Sequence, residues 1–184
     1  DHATLNRWVA NCSPPIADRA RRRKAQADRA WRMDETYIKV KGEWVYLCRA
    51  VDRFGKTPDF MLSKRHNKTA ATRFFARAPR VNGLPRKIVI DRSRANTAGL
   101  NAINRMLRYF GCPVPIEVVT IKYLNTTVEP DQRTVQKRLR PMPGIKSFVF
   151  ASATLEGVDV ANMIRKGQMT PGLCPSAHVA SLTA

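Results

Sequence analysis

The chain has 184 residues, of which 43% are hydrophobic, and its 33 Lys and Arg against 14 Asp and Glu give a formal net charge of +19. That length and composition fit one globular core and exclude global disorder, and no apolar run approaches the roughly 18 residues that would span a bilayer. A charge this large predicts an anionic partner, with nucleic acid favoured over a membrane surface because the basic residues are scattered through mixed elements. A solvated basic surface without a partner is the alternative.

The cysteines and the amino-terminal residues indicate the compartment. The four cysteines have no close spacing, and with the three histidines of the chain they match neither a zinc module nor a disulfide framework. The first residues lack the charged and apolar regions of a signal peptide. We therefore expect a cytoplasmic protein.

The amino-terminal 30 positions divide at a proline pair. Residues 1–14 predict a short helix with apolar residues at helical spacing, ended by Pro14 and Pro15. Residues 15–30 are interpreted as a basic linker. Its run over 19–24 is either a solvated helix face or a segment that contacts phosphate.

From Trp31 the pattern changes to that of β-strands. Apolar and polar residues alternate up to Val40, and the turn Lys41-Gly42 leads into an apolar stretch over 44–51 and a further strand over 57–62. This pattern predicts a three-stranded antiparallel meander.

The rest of the chain alternates between helices and strands. Asn67 is the expected cap of a helix that ends near Ala78, with an inner face formed by Ala71, Phe74, Phe75 and Ala78. The further predicted segments are a loop over 79–85, the apolar strand Lys87–Asp91, a helix over 97–110, a strand over 116–120, a helix from 126 or 127, a helix over 152–166 and a mobile tail over 169–184. The order β-β-β-α-β-α-β-α predicts an α/β fold, a mixed sheet with helices on both faces.

Three acids lie where predicted elements begin or end. Asp34 shares one face of the first strand with Ile38, while Glu35 points to the other face. Asp91 closes a strand at its carboxyl end, where open α/β sheets place their ligands. Glu129 lies in the first turn of a helix, where the helix dipole favours a negative charge.

Each acid alone has a structural explanation. Asp34 could pair with an arginine, Asp91 could cap the following turn and Glu129 could cap its helix. Three acids on separate elements that can converge at one sheet edge are better explained by two Mg²⁺ ions. Such ions activate an attacking oxygen and stabilise the leaving one during displacement at phosphorus.

Basic and aromatic side chains provide further candidates. Three cations on the predicted sheet could follow a DNA backbone or be solvated, namely Lys39, Lys41 and Arg49. Five aromatic residues are interpreted as core residues in preference to base-stacking platforms, namely Trp31, Trp44, Phe74, Phe75 and Tyr109.

Several segments together carry a family resemblance. They are Trp31–Gly42, Tyr46–Asp52, Val89–Asp91, Ile121–Asn125 and Ala151–Thr154. These segments closely resemble bacterial insertion-sequence transposases of the Asp-Asp-Glu class, in the subfamily that joins replicons by cointegrate formation (the insertion sequence six family). The resemblance covers nearly the whole chain, and the block that contains Met33–Val40 is highly specific.

The resemblance implies a ribonuclease-H-like catalytic (integrase core) domain over 31–168, with Asp34, Asp91 and Glu129 as the catalytic and metal-binding triad. It also implies 3′-hydroxyl attack on a phosphodiester, two Mg²⁺ ions for which Mn²⁺ can substitute, and DNA as the partner, both element ends and target. We expect a bacterial, nucleoid-associated protein that acts as a homodimer or higher oligomer on DNA.

In the same family a helix-turn-helix precedes the catalytic domain. Residues 1–14 resemble the end of that motif, with Thr4, Asn6 and Arg7 on the recognition helix. We therefore expect this chain to be amino-terminally truncated. On the helix that carries the glutamate of the triad, Arg133 and Lys137 are the expected DNA contacts.

Three positions depart from the family pattern near Glu129, namely Pro130, Gln132, which replaces a histidine, and Gln136. Pro130 is tolerated because the first helical turn needs no backbone donor there. Gln136 stands where the family has a basic residue that contacts phosphate, and a neighbouring side chain points about 100° away around the helix. The alternative is therefore a catalytically impaired remnant that acts only as a basic DNA-binding protein, and a nuclease of the same fold is a third interpretation.

Overall fold

The structure, a computed structural model, describes residues 1–121, 147–169 and 175–183. The helices and strands of these residues are α1 (His2–Arg23), β1 (Ala30–Val40), β2 (Glu43–Asp52), β3 (Phe60–Ser63), α2 (Lys68–Arg77), α3 (Pro79–Asn82), β4 (Lys87–Ile90), α4 (Arg94–Tyr109), β5 (Glu117–Thr120), α5 (Phe148–Arg165) and α6 (Pro175–Thr183). They fall into two compact units. One contains most of the sheet with α2, α3 and α4, and the other contains α1, α5, α6 and the β1–β2 turn.

The five strands form one mixed sheet in the order β3-β2-β1-β4-β5. β2 pairs with β3 in antiparallel orientation, whereas β1 with β4 and β4 with β5 are parallel. Lys41 and Gly42 connect β1 to β2 and both have positive φ, 50° and 83°, as a two-residue type I′ hairpin turn requires. The predicted mixed α/β sheet is confirmed.

One face of the sheet is covered by α2 and α4. Asn67 caps α2 by accepting a hydrogen bond from the backbone N–H of Ala70, as the sequence predicts. The predicted inner face of α2 is buried in a cluster that also contains Trp31, Met33, Ile88, Ile90, Leu100 and Ile103. This core fixes β1 and β4 side by side, and these are the two strands that carry the candidate acids.

In the other unit α1 continues through Pro14 and Pro15 to Arg23, so the helix end predicted at the proline pair is wrong. A proline inside a helix costs about 3 kcal/mol, because it removes a hydrogen bond and crowds the preceding turn. Packing downstream of the prolines offsets this cost, since Ala17 and Ala20 are buried against apolar residues of α5 and α6. The side chains of Arg19 and Arg23 also donate hydrogen bonds to backbone carbonyls of α6.

Other element bounds differ from the predictions for local reasons. β3 begins at Phe60 instead of 57, after Pro58, which has no N–H for the ladder. The predicted loop over 79–85 contains the short helix α3, which has Pro79 at its first turn. α5 begins at Phe148, four residues earlier than predicted, because the Ser147 side chain caps it.

Two further points concern the carboxyl-terminal third. The sequence predicts no helix in the tail, where the structure has α6 with Leu182 buried. The predicted helix that begins at 126 or 127 lies outside the described residues.

None of the helices within the described ranges is long and apolar enough to cross a bilayer.

Candidate active site

Asp34 and Asp91 come from adjacent parallel strands. Asp34 lies half-buried within β1, and Asp91 is the exposed residue that directly follows β4. The register pairs Arg32 of β1 with Val89 of β4. Continued by two residues beyond the paired ones, this register would put Asp91 opposite Asp34 at the carboxyl end of β4, which is the arrangement that the sequence predicts.

The electrostatics of Glu35 support this proximity. Burial raises the pKa of the Glu35 carboxyl above its usual value, and the negative charges of Asp91 and Asp34 raise it further, whereas His66 and a hydrogen bond from Asn96 lower it. Both negative charges therefore act on the Glu35 carboxyl, and we refer to Asp34, Glu35 and Asp91 as the acidic cluster.

Glu35 points to the opposite face of β1 from Asp34 and is held by three side chains. Its Oε2 lies 2.7 Å from Nε2 of His66, and its Oε1 lies 3.8 Å from the Sγ of Cys48. Asn96 supplies the third contact, a side-chain hydrogen bond. The backbone N–H of Glu35 also donates to Oδ1 of Asp34, with an N–O distance of 2.8 Å.

His66, Ser93 and Asn96 were not singled out from the sequence. His66 is one of the three histidines that match no zinc module, and no local pattern pairs it with Glu35. The available signal was Glu35 itself, because an acid directed at the core side of a strand requires a partner.

The acids fit a hard divalent cation. Carboxylate oxygens are the ligands that Mg²⁺ prefers, and the mutual repulsion within the acidic cluster is relieved when a cation binds. Within residues 1–121, 147–169 and 175–183, no group of three or more His, Cys, Asp or Glu is arranged to hold a metal ion. Of the predicted triad, Asp34 and Asp91 are the two members that lie within the described residues.

Several predicted site residues lie outside the described residues. They are Glu129, Pro130, Arg133, Gln136 and Lys137. The three residues predicted on a recognition helix lie in the first turns of α1, where Asn6 and Arg7 are exposed and Thr4 is half-buried.

The structure changes the interpretation of other candidates. Arg49 is only 1% exposed and donates a hydrogen bond to the Thr57 hydroxyl, so it is not a surface DNA contact. The interpretation of Trp44 and Tyr109 as core residues is wrong, because they are 62% and 86% exposed. Trp31, Phe74 and Phe75 are buried as predicted.

Asp52 shows that an acid at a strand end need not be catalytic. It ends β2, is fully buried, and accepts hydrogen bonds from the backbone N–H groups of Asp28, Phe54 and Lys56. These bonds order the turn after β2. Position at a strand end is therefore insufficient evidence of a catalytic role. The functional interpretation of Asp34 and Asp91 depends instead on the parallel pairing of the strands that they follow or lie in.

Comparison with known proteins gives the family. The family model DDE_Tnp_IS240, described as a DDE domain, matches residues 28–168. The chain belongs to the DDE transposases of insertion sequences. Two Staphylococcus aureus relatives, the transposases for the insertion sequence-like element IS431mec and for IS257 in transposon Tn4003, are each 33% identical over 158 residues. Those residues are 86% of this chain and 67% of each relative.

Solved structures give the fold of this DDE transposase. The catalytic core domain of BIV integrase matches with a TM-score of 0.56 at 19% identity, covering 84% of this chain and 96% of that one. A chain of the simian T-cell lymphotropic virus intasome matches with a TM-score of 0.55 at 18% identity, covering 83% of this chain and 59% of that one. At such identities the likeness shows the fold alone, and the predicted ribonuclease-H-like fold is confirmed.

Proposed function

We propose that this DDE transposase catalyses strand transfer, the attack of a DNA 3′-hydroxyl on a phosphodiester, at the site that contains Asp34 and Asp91. The observation that supports the proposal is the parallel pairing of β1 with β4, whose register, extended by two residues, would bring these two carboxylates opposite each other. Glu129 is proposed as the third acid of the triad. The basic balance of the chain, +19, supports a polyanionic substrate.

The proposed roles follow from where each carboxylate lies. Asp34 and Asp91, with Glu129, would hold divalent cations, with Mg²⁺ in two positions and Mn²⁺ able to replace it. When bound, such cations supply Lewis-acid stabilisation of the oxygens that attack and leave the phosphorus. Glu35 is not proposed as a ligand, because its oxygens face His66, Cys48 and Asn96.

The proposed function also involves residues that contact DNA and a division of the chain into segments. Arg133 and Lys137 would contact the DNA backbone, and Thr4, Asn6 and Arg7 would read the element ends from a segment over 1–14. The proposed catalytic domain spans 31–168; of the predicted linker over 15–30 only the part after α1 could act as a linker, and the predicted tail over 169–184 includes α6. We propose that the protein works on DNA at the nucleoid, as a homodimer or higher oligomer.

Replacement of the acids by amides tests the proposal. In Asp34→Asn, Asp91→Asn or Glu129→Gln, strand transfer of a supplied element end into target DNA should fall by at least about a hundredfold, because several kcal/mol of transition-state stabilisation is lost. Glu117→Gln is the matched control, since Glu117 is an exposed acid at the start of β5 whose partner is Lys87. It should retain full activity.

Other outcomes of the same assay separate the alternatives. Wild-type activity in any of the three variants would overturn the triad. DNA binding that weakens steeply with salt, without strand transfer by the wild type, would favour the impaired remnant. Hydrolysis without joining would favour a nuclease.

A further inference from the structure

Glu35 and Asp34 are consecutive residues that face opposite sides of β1, and a hydrogen bond links them. The backbone N–H of Glu35 donates to Oδ1 of Asp34 over 2.8 Å. Because this donor is a backbone group, a shift of the β1 backbone at Glu35 would reorient the carboxylate of Asp34. What holds Glu35 in place consequently matters for the proposed metal site on the other face of the strand.

His66 connects Glu35 to the segment that follows Asp91. Its Nε2 lies 2.7 Å from Oε2 of Glu35 and 3.2 Å from Oγ of Ser93. Ser93 comes two residues after Asp91 and caps α4 by accepting a hydrogen bond from the backbone N–H of Asn96. The His66 imidazole thus spans the gap between the two acid-bearing segments.

The orientation of His66 is fixed from a second direction. Its ring stacks on Tyr46 of β2, with ring centroids 5.1 Å apart and an angle of 25° between the planes. Asn96, which also bonds Glu35, is 2% exposed and sits in the first turn of α4. Glu35, His66, Ser93 and Asn96 therefore form one polar network, which we call the Glu35 network.

We propose that His66, acting through Glu35 and Ser93, fixes the spacing of Asp34 and Asp91 and is a positioning residue for the divalent-cation site. The inference rests on the proposed function, since it concerns the same pair of acids. In that role His66 itself would touch neither the cation nor DNA. Partners that orient ligands from outside the coordination shell typically change metal affinity by about 10- to 100-fold.

A purely electrostatic role for His66 and a positioning role predict opposite changes in cation affinity when His66 is removed. If His66 influenced the site only as a neighbouring positive charge, its removal would leave the acidic cluster more negative, and cation affinity would rise or stay unchanged. If His66 fixes the two acids, its removal lets them separate, and cation affinity falls. The direction of the change therefore discriminates between the two explanations.

The experiment measures Mn²⁺ binding by the full chain, from the electron paramagnetic resonance signal of free Mn²⁺, without DNA. His66→Ala should weaken binding about tenfold, and His66→Gln should recover most of the loss because its amide retains a donor near the position of Nε2. Arg65→Ala, in the same loop, is the matched control. It removes an exposed positive charge without cutting the Glu35 network and should bind Mn²⁺ at least as tightly as the wild type.

Melting temperatures measured in chelator exclude a general loss of structure and should agree within a few degrees for all variants. Mn²⁺ affinity in His66→Ala that equals or exceeds that of the wild type would overturn the positioning role while leaving the metal site intact. A wild type that binds no Mn²⁺, or binds it equally well with Asp34→Asn, would instead overturn the metal site of the proposed function, and the positioning role with it.

Discussion

Two helix pairs of this chain pack through a glycine, and they differ in what the glycine touches. In the sheet-containing unit, a Cβ added to Gly99 of α4 would lie 2.6 Å from Cβ of Ala71 and 3.0 Å from the backbone N of Thr72, both in α2. In the other unit, a Cβ added to Gly157 of α5 would lie 2.9 Å from the Ser13 hydroxyl oxygen of α1. The first contact involves backbone, which cannot move aside, and the second involves a side chain that can rotate.

This difference shows which of the two helix pairs depends on close packing. α4 begins directly after the segment that carries Asp91 and contributes Ser93 and Asn96 to the Glu35 network. Its backbone contact with α2 therefore fixes one end of the candidate site. The α1–α5 pair accommodates two prolines and buries mostly small and flexible side chains, so it has more tolerance for change.

Cysteine reactivity should show the largest contrast between the two units. Burial, followed by the charge of Glu35 and a hydrogen bond to it, raises the pKa of the Cys48 thiol to about 12, whereas Cys12 of α1 is exposed. Because the thiolate is the nucleophile, Cys48 should react with iodoacetamide near pH 8 about 1,000-fold more slowly than an ordinary thiol.

The measurement is mass spectrometry of a variant in which Cys112 and Cys174 are replaced by serine. Labelling of Cys48 should accelerate as the pH rises towards 12 and should match that of Cys12 once the chain is unfolded in denaturant. Equal rates for Cys12 and Cys48 in the folded chain at pH 8 would contradict the buried environment of Cys48.

Replacement of Gly99 and Gly157 by alanine should produce the next largest contrast, measured as the change in the free energy of unfolding. Gly99→Ala should lower the free energy of unfolding by about 1–3 kcal/mol, because the overpacked contact exceeds the roughly 1 kcal/mol gained in helix propensity. Gly157→Ala should be neutral or stabilising by up to about 1 kcal/mol. Urea unfolding of both variants tests this, and a Gly157→Ala variant less stable than Gly99→Ala would reverse the comparison.

Removal of one partner from each of two ion pairs should show the smallest contrast in the free energy of unfolding. Arg77 donates to both carboxylate oxygens of Asp59, over 2.8 and 3.0 Å, and that carboxylate is largely buried. Arg77→Ala should therefore cost about 2 kcal/mol of unfolding free energy. The pair formed by Arg22 and Asp18 within α1 is well exposed, and Arg22→Ala should cost less than about 0.5 kcal/mol. Unfolding at low and high salt checks both values, and equal losses would contradict the assigned burial.

The elements that could be predicted from the sequence are those with local signals. Alternation in β1, the Lys41-Gly42 turn and the Asn67 cap each involve residues only a few positions apart, so pattern and propensity suffice. The parallel pairing of β1 with β4, on which the predicted convergence of Asp34 with Asp91 depends, also agrees with the sequence pattern, because strand-end acids of a mixed sheet are expected at one edge.

What could not be predicted depends on partners that are distant in sequence. The continuation of α1 through its prolines follows from packing against residues more than 140 positions away, which no local rule contains. The Glu35 network likewise joins Glu35 and His66 with α4 across three separate elements. Exposure of Trp44 was missed because aromatic residues in strands are more often buried than exposed.

Asp34 and Glu35 face opposite sides of β1, so the number of residues that precede them in the strand decides which acid faces which side. Loss of a single residue between Ala30 and Asp34 would still leave a carboxylate opposite Asp91, that of Glu35, because successive side chains change face. Thr36 would then occupy the position next to His66, and a hydroxyl cannot replace the carboxylate that His66 contacts there. A deletion or insertion in this segment should therefore disturb both faces of the strand at once, whereas a substitution disturbs one, and alignments of related chains should admit no gap in it.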